Sequence, residues 1–394
     1  MQMGCFIRHQ AFWTDLKSAF PGEVKFNEPL KGYTSFGIGG MADCMVTVTT
    51  MEKLIKLIAL VNDYQPSASE HKISDTGHRT PVTDHRISTG DDRTPVSDYK
   101  TFASDDRTPG SGHRMPFFVL GKGTNLLVKD GGIRGLVVRL GEEFGRATVQ
   151  EDQIIAGAAC PLSSLLRLSV QHSLSGLEFA TGIPGLLGGA VYMNAGSAKE
   201  GIGYLVREVQ LVYPDGSTEL LAAAAGTPSG PGGLVEDCEP GGCRILSPSS
   251  CLPVQISGAT GSLEFAYRRC FLPQGGIITR ASVQLRQAER KESVLAQIRE
   301  RYRYRAAHQP LREKSAGCIF KNPPGESAGR LIEQAGLKGI SIGGAQISTI
   351  HANFINNRDN ASCSDVLHLM DMIQKKVYHS FGIALEAEVQ IVGE

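Results

Sequence analysis

Two short segments crowd glycines between apolar walls: Leu120-Gly121-Lys122-Gly123-Thr124-Asn125-Leu126-Leu127 and Gly182-Ile183-Pro184-Gly185-Leu186-Leu187-Gly188-Gly189-Ala190. A residue without Cβ reaches backbone angles that others avoid and lets N–H groups come close to a phosphate. Thr124 and Asn125 add short-range hydrogen bonding. The segments fit a cradle for a pyrophosphate, and each fits tight turns in an α+β core equally well. Neither is a dinucleotide fingerprint, because Gly-x-Gly-x-x-Gly is missing after Leu120. Gly-x-x-x-x-Gly-Lys-Ser/Thr is missing throughout, so a P-loop nucleotidase and a standard NAD fold both lose support. Forty-six of 394 residues are glycine, above the roughly 7% usual, with no collagen-like period to explain it.

The rest of the composition narrows the class. Forty basic residues balance 40 acidic ones, which argues against a nucleic-acid binder working through a general field and leaves room for a local anion pocket. The nine cysteines are scattered, and an odd number with no leader-like start points to reduced thiols. Met1 to Arg8 lacks the pattern of a secretory leader, and no run of 18 apolar residues occurs. The expectation is a cytoplasmic protein that is not held in a membrane.

Two stretches interrupt the chain. From Ser67 to Arg114 the motifs His78-Arg79-Thr80-Pro81, Asp92-Arg93-Thr94-Pro95 and Asp106-Arg107-Thr108-Pro109 recur every 14 residues with almost no apolar positions to stack through. This reads as a loosely ordered insertion rather than a solenoid. Ala222 to Gly261 is rich in Ala, Gly, Pro and Ser; its Cys238, Cys243 and Cys251 have no matching histidines, so no metal site is expected. The remainder is an αβ pattern. Ala42 to Val48 reads as a strand, and Met51 to Val61 as a helix with Leu54, Leu57, Ile58 and Val61 on one face. Phe117–Leu120, Leu126–Val128, Leu136–Val138, Gln153–Ala156 and Val209–Val212 read as strands. Ser364-Asp365 opens a helix lined by Val366, Leu367, Leu369, Met370, Ile373 and Val377, and Leu385 to Val392 closes the chain as a strand.

In order, the segments Thr34-Ser35-Phe36-Gly37-Ile38-Gly39-Gly40, Leu120 to Asp130, Gly176-Leu177-Glu178-Phe179 with Gly182 to Gly196, Tyr267-Arg268, Ser315 to Pro323 and Leu385 to Glu388 resemble the UDP-N-acetylmuramate dehydrogenase family, also called UDP-N-acetylenolpyruvoylglucosamine reductase. The insertions and roughly the first thirty residues lie outside the resemblance. It implies an α+β chain with the FAD-binding fold of the vanillyl-alcohol oxidase type, two flavin-binding subdomains, and a C-terminal α/β substrate domain. Residues 1–66 and 115–120 would form the first subdomain, with 67–114 inserted. Residues 121–290 would form the second, interrupted at about 222–261. Residues 291–383 would bind substrate, and 384–394 would return to the active site. Ser327-Ala328-Gly329-Arg330-Leu331-Ile332 follows closely on Lys321-Asn322-Pro323, as in the family's shorter type without a tyrosine-bearing loop.

The resemblance also implies FAD and NADPH as cofactors and a UDP-sugar enolpyruvyl ether as substrate. Gly121, Lys122, Gly123, Thr124, Asn125, Gly182, Ile183, Pro184, Gly185, Gly188, Gly189 and Asn194 would hold FAD. Reducing such an ether needs a hydride at one carbon, a proton at its neighbour and stabilisation of the enolate between them. Arg268 matches the electrophilic position, where a guanidinium stays cationic and donates in a fixed fork. Glu388 matches the acidic position, although Ala387 stands where the family usually has proline. Alternation would put Glu386 on the same face as Glu388. Cys318 stands where the family most often has serine as proton donor; an ordinary thiol, with a pKa near about 8.5, is a far stronger acid than a hydroxyl and is also open to oxidants and alkylating reagents. Asn322, His351 and His308 match substrate-contact positions. The competing readings are another FAD-linked oxidoreductase of this fold, or a scaffold derived from it.

Overall fold

The computed structural model describes residues 10–64, 117–197, 200–223 and 262–394. The repetitive stretch expected at 67–114 lies outside them, as does the interruption at 222–261 apart from its first two residues.

The first sheet runs in the order Val24–Pro29, Met41–Val48, Ile133–Leu140, Phe117–Val119, antiparallel at its first pair and parallel after it. Both faces are buried, as a parallel arrangement demands. Helices α1 (Gln10–Ala19) and α2 (Met51–Asp63) cover one face, where Phe12, Leu16, Leu54 and Leu57 pack on Cys44, Val46, Leu136 and Val138. The stripe expected on α2, Leu54, Leu57, Ile58 and Val61, is the buried one, and Thr50 caps the helix by accepting from Lys53 N. Leu30, Met45, Val128 and Val137 close the other face.

A second, seven-stranded sheet has the order Arg269–Phe271, Ser262–Ala266, Thr218–Ala223, Val206–Val212, Ile277–Gln284, Gln153–Gly157, Ala147–Gln150. Helices α3 (Leu162–Gln171) and α4 (Leu187–Tyr192) share its core, with Leu165, Leu187 and Val191 among Val209, Leu211, Ala281 and Val283. Helix α5 (Lys291–His308) leads out of this layer with only Val294 buried. The C-terminal layer joins α6 (Ala328–Gln334), a small antiparallel sheet of Ser341–Ile342, Ala345–Ile347 and Ile355–Asn357, and α7 (Cys363–Phe381).

Two sequence expectations are corrected here. Helix α7 starts at Cys363, with Ser362 as its cap. Asp365 lies three residues beyond that cap and closes the capping box, so Ser364-Asp365 sits inside the first turn instead of opening it. The closing strand is shorter than Leu385–Val392: only Gln390–Val392 is regular, pairing in parallel with Leu126–Val128, while Ala387 bridges Phe320. The segment changes partner midway, and a chain that does so cannot keep one strand's alternation. Glu386 therefore lies exposed beside Lys321, and Glu388 is buried.

Candidate active site

Between the layers opens one cleft of about 3070 Å³, several times the roughly 300–1,000 Å³ of a single-ligand pocket. Both glycine segments line it. Gly123 has φ 61°, and a Cβ there would overlap Tyr33 O, so this turn admits only glycine. Its carbonyl accepts from Ser35 N at 3.2 Å, and Ser35 Oγ donates to Ser315 O at 2.7 Å, which ties the first glycine segment to the stretch carrying Cys318. In the second segment Gly188 N donates to Ala158 O at 2.8 Å, and a Cβ on Gly188 would press on Ala158 Cβ at 2.9 Å. A Cβ on Gly189 would meet nothing within 4 Å, so there the wall of the cleft is bare backbone.

Arg268 occupies the tip of the hairpin joining Ser262–Ala266 to Arg269–Phe271, at φ 57°. A left-handed angle on a long side chain costs energy and is held by the surrounding pairing. The guanidinium points into the cleft: Nη1 donates to Gly196 O at 2.6 Å, and Nε lies 2.9 Å from Glu388 Oε1. The Nε–H is not aligned on that oxygen, so the pair is held by charge rather than by a directed bond. Glu388 is fixed through its backbone, its N–H donating to Ile319 O at 2.8 Å and its carbonyl accepting from Asn125 Nδ2 at 3.1 Å. Burial raises its pKa, and the nearby Arg268 and Lys321 oppose the rise.

Cys318 lines the same cleft, its backbone bridged to Phe354. Its thiol is pushed up to about 12, chiefly by burial and secondarily by the Glu388 carboxylate, with the Arg268 and Arg305 guanidiniums pulling the other way. The ordinary thiol acidity expected from the sequence is thereby corrected. The sulfur keeps its proton at neutral pH, and its alkylation should rise steeply with pH as thiolate forms. Arg268, Cys318 and Glu388, which are 50 and 70 residues apart in the chain, thus meet in one place.

Residues 309–392 match the model of the UDP-N-acetylenolpyruvoylglucosamine reductase C-terminal domain, and residues 111–221 match an FAD binding domain. The UDP-N-acetylenolpyruvoylglucosamine reductase of Anoxybacillus flavithermus is 32% identical over 381 residues, which is 96% of this chain and 97% of that one. Reductase 2 of Symbiobacterium thermophilum is 34% identical, covering 95% and 93%. The chain belongs to the UDP-N-acetylenolpyruvoylglucosamine reductase family. The crystal structure of the Thermus caldophilus enzyme is similar in fold, with a TM-score of 0.62, 31% identity, and coverage of 94% of this chain and 98% of that one.

The cleft suits the FAD of this reductase family. Its volume exceeds one ligand, and Gly121, Lys122, Gly123, Thr124, Asn125, Gly182, Ile183, Pro184, Gly185, Gly188 and Gly189 all line it. Asn194 does not; its amide donates to Ala266 O at 2.9 Å and accepts from Gly203 N at 3.0 Å, which clamps the base of the Arg268 hairpin. Asn322 lines the cleft, with Oδ1 taken by Ala328 N at 3.0 Å at the start of α6. The two histidines are not brought to the cleft. His308 is exposed and stacked on Tyr304, and His351 packs against Phe354 while its Nδ1 accepts from Asn353 N. Arg305 and Tyr302, which do line it, were not singled out from the sequence. Arg305 lies along Gly182, where a Cβ would meet its Cδ at 3.2 Å, and no feature of the Arg299, Arg301, Arg303, Arg305 series marks it in advance. Among the described residues no helix is long and apolar enough to cross a membrane, and no cluster of three metal-ligating side chains occurs.

Proposed function

We propose that this chain reduces UDP-N-acetylglucosamine enolpyruvate to UDP-N-acetylmuramate with NADPH, in the cytoplasm, as a step in peptidoglycan precursor synthesis. The observation that carries this reading is the meeting of Arg268, Glu388 and Cys318 in a cleft walled by the two glycine segments. FAD, reduced by NADPH, supplies the hydride when bound. The glycine segments would hold the cofactor's pyrophosphate, with the backbone N–H groups between Gly121 and Asn125 as its donors. Arg268 offers its guanidinium to the enolate that develops when a hydride reaches one carbon of the double bond. Glu388 holds that guanidinium in place and lowers the net charge of the pair, so the stabilisation falls on the developing enolate rather than on the ground-state substrate. Cys318 gives its proton to the neighbouring carbon and is reprotonated from solvent. Residues 291–383 close the far side of the cleft over the UDP-sugar.

The test is anaerobic and uses the purified protein. It should carry an FAD absorbance that NADPH bleaches and UDP-N-acetylglucosamine enolpyruvate restores. Cys318→Ala should leave the bleaching intact and slow the restoration by about 100-fold or more, the span of general acid catalysis. A protein that holds no flavin, or a variant that restores it at the parent rate, overturns the reading.

A further inference from the structure

Behind the cleft, Asn353 is 2% exposed, and its side chain behaves as an extra strand residue. Oδ1 accepts from Phe320 N at 3.0 Å, and Nδ2 donates to Phe320 O at 2.8 Å. Its own carbonyl accepts from Ile319 N at 2.9 Å, and its N–H is held by His351 Nδ1 at 3.2 Å. The loop 351–354 and the segment 318–320 are therefore locked together by one buried amide. Both aligned bonds of that side chain go to Phe320. Its second Nδ2 hydrogen is not spent on Phe320, and the Asn353 amide acts on the Cys318 thiol as a donor that favours thiolate.

We propose that Asn353 is the positioning residue of the proton donor: it fixes the backbone that directly follows Cys318, at Ile319 and Phe320, and offers the second Nδ2 hydrogen to Sγ as the sulfur gives up its proton. This deepens the reading above, since it rests on Cys318 being the donor. When the S–H bond breaks, the proton goes to carbon and the electron pair stays on sulfur, so a thiolate must stand in a buried site until it is reprotonated. The other charged groups facing it are already engaged: Arg268 with Glu388 and Gly196 O, Arg305 with Phe179 O and Gln309. Glu388 repels the new charge. A directed neutral donor is what the site otherwise lacks, and a hydrogen bond to a charged group outweighs one to a neutral group. His351, matched from the sequence to a substrate contact, takes its place here as the support of Asn353's N–H.

Two full-length, flavin-loaded variants test this. Asn353→Asp keeps the shape and the bond from Phe320 N but loses the donor; Asn353→Ser removes both reach and donor. Alkylation of Cys318 by iodoacetamide, followed peptide by peptide across pH, reads the thiolate directly, with Cys318→Ala marking the background. Both variants should slow Cys318 alkylation at a given pH by roughly ten-fold or more, and slow flavin reoxidation by the UDP-sugar to a similar degree. Flavin reduction by NADPH should stay within about two-fold. Unchanged alkylation in a variant that retains the parent melting temperature overturns the proposal, as does an equal loss in both half-reactions. If Cys318→Ala itself reoxidises at the parent rate, the donor assignment fails, while the alkylation profiles still report whether Asn353 serves the sulfur.

Discussion

Ionising Glu388 means placing a carboxylate where 8% of the residue reaches solvent, and Arg268 at 2.9 Å offsets only part of that penalty. The sign follows from linkage. A carboxyl whose folded pKa lies above its value of 4.5 in the unfolded chain holds its proton longer when folded. The unfolded state then binds fewer protons, and stability falls as pH rises past 4.5. Glu388→Gln cannot ionise and escapes this loss. Its melting temperature relative to the parent should therefore climb as pH rises above 4.5 and level off once the folded carboxyl has also ionised, whatever the offset at acid pH from leaving Arg268 without its partner. A difference independent of pH across a calorimetric series would show that the carboxyl titrates normally. The identity of this residue was legible through the family match, as were Arg268 and Cys318. The acidities of Glu388 and Cys318 were not: desolvation belongs to the folded cleft, so nothing local to Cys318 announces a thiol near 12 in place of about 8.5.

At the scale of elements, legibility tracked amphipathicity. Helices α2 and α7 each press one face on a sheet, and their apolar spacing gave both the element and most of the buried positions, with Leu367 only half-buried and Cys363 buried in addition. Helix α5 buries only Val294 and has no such spacing to read, although it brings Arg305 and Tyr302 to the cleft. The start of α7 was misplaced by sequence because its cap is partly supplied from far away. Asp130 accepts from Cys363 N at 2.8 Å and from Ser364 N at 3.1 Å, adding a second carboxylate beside Asp365 at the positive end of the helix dipole. The neighbouring Gly131 and Gly132 exchange hydrogen bonds with Glu394, so the same turn also holds the chain end that carries Glu388 back. Asp130→Ala should cost about 1–2 kcal/mol, the range of a lost cap. It should also speed hydrogen exchange at Gln390–Val392 as well as in the first turn of α7. Faster exchange confined to α7 would mean that the turn and the chain end are not coupled.

Across the whole molecule, α5 is a polar strut between the second sheet and the C-terminal layer, and a helix without an apolar face needs specific tethers to stay put. Its tethers are identifiable. Arg301 forks onto both oxygens of Glu200 at 2.8 Å each, and one turn later Arg305 Nη2 donates to Phe179 O at 3.4 Å. Arg301 also feels the buried Glu178, whose Oε2 is spent on Gly176 N. The fork ties α5 to the segment just after Gly196, the residue whose carbonyl receives Arg268. One tether therefore sets the spacing between the guanidinium at 268 and the wall formed by Tyr302 and Arg305. Because the Arg301 side chain is 37% exposed, the pair adds at most about 1 kcal/mol to stability, and its weight lies in geometry. Glu200→Gln and Arg301→Lys should each lower the melting temperature only slightly and leave flavin binding unchanged. Each should raise the KM for the UDP-sugar several-fold, with faster amide exchange from Arg301 to His308. The lysine variant is the sharper of the two, since it keeps the charge and loses only the fork. If it behaves as the parent, charge alone anchors the strut, and the placement of Arg305 depends on its own contacts with Phe179 and Gly182.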